Sequence, residues 1–101
     1  MKRSYAERIG KAEPVEITIY TTQSCPYCRR AKDLLNKKNL AFHEISVDGD
    51  YEARVKMRER AHGGSTVPQI FFGEQHIGGC DELYALEQAG KLDPLIAELS
   101  R

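Results

Sequence analysis

Apolar and polar residues alternate along Val15-Glu16-Ile17-Thr18-Ile19-Tyr20. With its β-branched content this run reads as a strand whose apolar set is Val15, Ile17 and Ile19. The period then changes. Over Arg29 to Asn39 the apolar positions Ala31, Leu34 and Leu35 fall at helical spacing among charged residues. Pro26 fits ahead of them, because the first helical turn needs no N–H from it. Leu40 to Val47 reads as a second strand through Phe42, Ile45 and Val47. Strand, helix and strand in succession predict a βαβ unit with parallel strands.

Asp48-Gly49-Asp50 supplies turn and cap chemistry. Tyr51 to His62 follows as a charged helix with Tyr51, Val55 and Met57 facing inward, ended by Gly63-Gly64. Ile70-Phe71-Phe72 and Gln75-His76-Ile77, joined by Gly73-Glu74, form a predicted hairpin with antiparallel strands. Gly78-Gly79 bends the chain into a helix over Asp81 to Gln88, stopped at Gly90. In the last helix, through Leu95, Ile96 and Leu99, Asp93 is the expected N-cap and Pro94 the first helical residue. The fold class is α/β: a small mixed sheet with helices on both faces.

Residues 1–14 are polar, contain Gly10 and end at Pro14; they read as an extension that can form a short helix over Ser4 to Ile9. Residues 15–101 form one domain, large enough for a modest core without disulfide staples. Fifteen basic and fifteen acidic side chains cancel, which argues against nucleic acid as a partner. No apolar run near Met1 resembles a secretory signal, and no stretch has the apolar length to cross a membrane. Three cysteines do not make a disulfide framework, so the expected setting is a reducing cytoplasm with thiols kept for chemistry.

Two of those thiols stand three positions apart in Cys25-Pro26-Tyr27-Cys28, after a strand and at the mouth of a helix. Thiolate is the reactive form of cysteine, and the unpaired N–H groups of a helix N-terminus lower thiol pKa values from about 8.5 to roughly 3.5–7.5. Cys25 is therefore the expected nucleophile. Cys28, one turn further on the same face, is placed to attack a mixed disulfide formed by Cys25. Zinc half-sites and structural pairs also produce Cys-x-x-Cys, but the βαβ context favours redox use. A zinc site from Cys25, Cys28, Cys80 and a histidine lacks a second half-site in the spacing. His43, His62 and His76 are scattered and carry no expected catalytic role.

Cys25-Pro26-Tyr27-Cys28, Thr66-Val67-Pro68-Gln69-Ile70-Phe71 and Gly78-Gly79-Cys80-Asp81, in that order and spacing, resemble the bacterial dithiol glutaredoxins over about Val15 to Leu95. The resemblance implies a thioredoxin fold with a four-stranded mixed sheet, and a cytoplasmic, monomeric enzyme. Glutathione would be its co-substrate, no metal is expected, and its partners would be disulfide-containing or glutathionylated proteins. Cys25 would attack and Cys28 would resolve protein mixed disulfides. Tyr27 would line the glutathione groove, and the Thr66 and Val67 backbone would bind the cysteine of glutathione. Pro68 would be cis. Gly79, with the N–H groups of Cys80 and Asp81, would hold a carboxylate, and the Asp81 side chain would pair with the α-amino group. Cys80 would lie beside bound glutathione, and Arg54 or Lys56 would reach its glycine carboxylate.

Two positions depart from the pattern. Relatives often carry lysine where this chain has Thr22, and arginine just upstream of Thr-Val-Pro where it has Gly64. Both changes remove positive charge that an anionic tripeptide would feel. The alternatives are a glutaredoxin-like module holding an iron–sulfur cluster through Cys25, and a thioredoxin-type carrier that ignores glutathione. Pro26 and Cys28 speak against the first, and the Thr-Val-Pro and Gly-Gly-Cys-Asp motifs against the second.

Overall fold

In the computed structural model, which describes residues 14–100, the elements run β1 (Ile17–Thr21), α1 (Pro26–Lys37), β2 (His43–Ser46), α2 (Tyr51–Arg60), β3 (Gln69–Phe72), β4 (Gln75–Gly78), α3 (Cys80–Gln88) and α4 (Leu92–Leu99). The sheet order is β2-β1-β3-β4. β1 pairs parallel with β2, with Thr18 opposite His43, and antiparallel with β3, with Ile19 opposite Ile70. β3 and β4 form the antiparallel hairpin. The βαβ unit and the hairpin thus meet along β1 and β3, the two central strands.

All five residues of β1 are buried, because helices cover both faces of the sheet. Ile17 and Ile19, with Ile70 and Phe72, pack against Ala31, Leu34 and Leu35 of α1, Leu83 of α3, and Leu92 and Ile96 of α4. Tyr20 and Phe71 face the other way, onto Met57 and Ala61 at α2. Each large apolar side chain so buried contributes about 1.5–3 kcal/mol. Three helices therefore hold one face and a single helix the other.

The inward face of α2 differs from the expected one. Tyr51 is 74% exposed and Val55 only half-buried, while Ala53, Met57 and Ala61, spaced by four, meet the sheet. Tyr51 lies two positions before Ala53, about 200° round the helix, and so faces solvent. The start of α4 differs too: the helix begins at Leu92 after Lys91, and Asp93 and Pro94 occupy its first turn. The Asp93 carboxylate instead bonds Lys38 at 3.1 Å. Pro94 is tolerated because first-turn N–H groups lack intrahelical acceptors.

Strands β1 and β2 are shorter than the alternation suggested. Val15 and Glu16 precede β1, and the Val15 N–H donates to Ser100 Oγ at 2.9 Å. Leu40 enters the core from a loop. The short helix over Ser4 to Ile9 lies outside the described residues. No helix among the described residues is long and apolar enough to cross a membrane.

Candidate active site

The carboxyl end of β1 delivers the chain into a loop that is held at two points. The Gln23 N–H donates to Asp48 Oδ2 at 2.6 Å, and the Cys25 N–H to the Thr22 carbonyl at 3.5 Å. Cys25 is the N-cap of α1, with Pro26 following as first helical residue. Its Sγ accepts the Cys28 N–H at 3.3 Å, so the half-buried sulfur itself takes up one of the unpaired donors of the helix start. The same sulfur lies 3.7 Å from the Val67 carbonyl oxygen, to which its S–H can donate.

Cys28 is 1% exposed. Burial pushes its thiol up to about 12, with the adjoining Cys25 side chain adding to the rise and the Lys32 charge opposing it. Cys80 is also buried, and desolvation raises its thiol above the ordinary value. Of three free thiols, only that of Cys25 is open to a reactant.

Two further walls face Cys25. One is Thr66-Val67-Pro68, where the Val67–Pro68 bond is cis and Pro68 leads into β3. The other is the start of α3. Gly78 has φ +120°, and a Cβ there would stand 2.8 Å from Glu82 Oε1, so only glycine fits. Glu82 Oε1 accepts the Gly79 N–H at 2.7 Å. Gly79 has no side chain to return the bond, which leaves the first-turn N–H groups of α3 without a side-chain cap. Between the walls lies a cleft of about 190 Å³, lined by Tyr27, by Thr66-Val67-Pro68 and by Gly79 to Glu82. The Tyr27 ring is 54% exposed at its rim.

The cleft thus gathers Tyr27, Thr66, Val67, Pro68, Gly79, Cys80 and Asp81, with Cys25 against the Val67 carbonyl. It does not include Arg54 or Lys56. Arg54 is half-buried on α2, and Lys56 lines a separate depression with Arg60, Gly73 and Glu74. Two polar residues escaped the sequence reading. Glu82 was legible as a carboxylate three positions after a glycine N-cap, half of a capping box. Gln69 is buried beside the cis proline, and its partners lie in the loop before β3 and on β4. Among the described residues no group of three or more histidine, cysteine or acidic side chains is close enough to hold a metal ion.

A βαβ unit joined to a β-hairpin, a two-thiol helix start and a cis proline facing the outer thiol define a dithiol redox protein of the thioredoxin fold. Comparison with known proteins narrows the class. The family model described as Glutaredoxin matches residues 17–77. Glutaredoxin 3 of Escherichia coli is 54% identical over 80 residues, which cover 79% of this chain and 95% of that protein. The solution structure of glutaredoxin from Brucella melitensis aligns with a TM-score of 0.75 at 51% identity, covering 87% of this chain and 95% of that one. A crystal structure of a buckwheat glutaredoxin–glutathione complex aligns with a TM-score of 0.73 at 26% identity, covering 92% and 84%. The chain belongs to the glutaredoxin family and is a thiol-disulfide oxidoreductase.

Proposed function

We propose that the protein uses glutathione to reduce glutathione mixed disulfides and protein disulfides, with Cys25 as nucleophile and Cys28 as resolving thiol. The observation that carries this reading is the cleft beside Cys25, bounded by the edge of the cis-proline loop and an uncapped helix start. The first suits the extended backbone of a peptide and the second its carboxylate. The glutathione complex of the buckwheat relative lends support.

In the one-thiol route, the Cys25 thiolate attacks the glutathione sulfur of a mixed disulfide and the substrate thiol leaves with the electron pair and a proton. The thiolate of a second glutathione then attacks the glutathione sulfur held by Cys25. Oxidised glutathione departs and Cys25 is restored. With a protein disulfide, Cys25 attacks one substrate sulfur, and Cys28 then attacks Cys25 to expel the product. Two glutathiones reduce the resulting Cys25–Cys28 disulfide.

The buried Cys28 suits this order of events. Cys25 contributes two of the three influences that hold the Cys28 proton, through a hydrogen bond and through charge. Once Cys25 is a neutral mixed disulfide its charge no longer opposes Cys28 ionisation, so capture of substrate readies the resolving thiol. Tyr27 flanks the bound tripeptide, Asp81 meets its α-amino group, and Cys80 lies inert alongside.

The test is to treat the Cys28→Ser protein with oxidised glutathione and map the adduct by mass spectrometry. One glutathione on Cys25, removed by added reduced glutathione, is the expected result. An adduct confined to Cys80, or none on folded protein, contradicts the mechanism. A brown protein on anaerobic purification would point instead to an iron–sulfur cluster.

A further inference from the structure

Gln69 and His76 are polar side chains that the mechanism leaves unused. Gln69 is 5% exposed on β3, immediately after the cis proline. Its Nε2 donates to the Thr66 carbonyl at 3.0 Å and lies 3.3 Å from Thr66 Oγ1. Those two contacts orient the amide and turn Oε1 away from Thr66. Oε1 meets His76 Nε2 at 2.6 Å. An amide oxygen only accepts, so His76 carries a proton on Nε2 and donates it. The imidazole is itself fixed, stacked on the buried Phe71 ring with centroids 4.9 Å apart.

We propose that Gln69 and His76 are positioning residues that aim the Thr66–Val67 peptide at bound glutathione, an inference that rests on the glutathione reading above. In a trans peptide the carbonyl and the following N–H point in opposite directions. The Thr66 carbonyl turns inward to Gln69, so the Val67 N–H turns outward. Val67 is the cleft residue whose carbonyl also touches Cys25. The relay therefore sets the direction of the backbone donor on which an extended peptide would pair. Gly64 leaves room for it, since a Cβ there would stand 3.1 Å from Gln69 Nε2.

Gln69→Leu and His76→Phe remove the relay at either end, the second keeping an aromatic ring on Phe71. In turnover of a glutathionylated peptide with glutathione, each raises KM roughly three- to ten-fold with kcat little changed. The rate at which iodoacetamide alkylates Cys25 stays near that of the parent, because the thiol is not the site of the change. His76→Gln, which restores an N–H donor, returns KM towards the parent value. Nitrogen-detected NMR of the parent protein should show the His76 proton on Nε2. Unchanged KM in both folded variants, a matching change in alkylation rate, or a His76 proton on Nδ1 alone overturns the proposal. If the parent itself turns over no glutathionylated peptide, the glutathione reading has failed and this inference with it, even with the proton on Nε2. If the parent turns over and the variants match it, only the relay has failed.

Discussion

At the scale of single residues, the two thiols of the Cys25-Pro26-Tyr27-Cys28 run are separated by exposure. Cys25 sits half-exposed with an N–H aimed at its sulfur, while Cys28 is sealed and pushed up to about 12. At neutral pH Cys28 is therefore held as the neutral thiol. Iodoacetamide at pH 7 should label Cys25 and spare Cys28 and Cys80, as peptide mapping will report. Predominant labelling of Cys28 would refute the assignment. The linkage sign for Cys28 follows from a raised folded pKa: its contribution to stability is complete below the ordinary value of 9.0 and declines as pH rises towards 12. Glu44 has the opposite sign. The Thr21 hydroxyl, bonded at 2.7 Å, and then Lys32, at 2.9 Å, hold its carboxyl below the ordinary 4.5. Its contribution is present above pH 4.5 and lost as pH falls through the folded value. Urea unfolding of parent and Glu44→Gln should thus differ at pH 7 and converge as pH falls below the folded value; a constant difference would argue that Glu44 acts through packing.

Elements add what no residue supplies alone. The N-terminus of α3 is shaped by Glu82, which holds the Gly79 N–H and leaves those that follow without a side-chain cap. Glu82→Ala should cost about 1 kcal/mol of stability, read by urea unfolding, and raise KM for a glutathionylated peptide. An unchanged KM would confine Glu82 to a structural role. Helix α2 depends on one deep anchor, Met57, against Tyr20 and Phe71. Met57→Ala should cost about 2–4 kcal/mol, and a loss well under 1 kcal/mol would mean that α2 repacks.

Those elements were legible to different degrees, for physical reasons. Helix α1 announced itself because it has the sheet on one side and water on the other, so Ala31, Leu34 and Leu35 turn inward among charged residues. The alternation in β1 identified the strand but hid its second buried face, where Thr18 and Tyr20 lie inside, and the burial of Thr21 on the face of Ile17 and Ile19. Two of the hydroxyls are satisfied from afar: Tyr20 accepts a hydrogen bond from Arg60 at 3.1 Å and Thr21 donates to Glu44. No local pattern carries partners 40 and 23 positions away. Gln69 and His76 are only seven positions apart, but their bond depends on the register of β3 against β4, which no local pattern shows. The inward face of α2 was misplaced because its buried set, Ala53, Met57 and Ala61, contains two alanines among charges.

For the molecule as a whole, the sheet order brings three chain segments to one end of β1 and β3: the helix start with the thiols, the cis-proline loop and the start of α3. Motifs in the sequence named most of this site, since backbone-directed chemistry needs Pro68, Gly78 and Gly79 at fixed places. The basic residues could not be placed that way. Arg54 and Lys56 belong to a helix whose orientation follows from packing alone, and neither lines the cleft. With no basic side chain among the cleft-lining residues, added charge should be felt: Thr22→Lys should lower KM for a glutathionylated peptide roughly two- to five-fold at low salt, with the gain shrinking as salt rises. A gain independent of salt would assign the effect to packing.

The central claim is tested most directly by steady-state turnover of a glutathionylated peptide, coupled through glutathione reductase to NADPH, for the parent, Cys28→Ser and Cys25→Ser proteins. Turnover by the parent and Cys28→Ser, with a loss of at least about 10³-fold in Cys25→Ser, is the predicted result. Turnover that survives in Cys25→Ser, or is absent from the folded parent, would contradict a glutathione-driven cycle on Cys25.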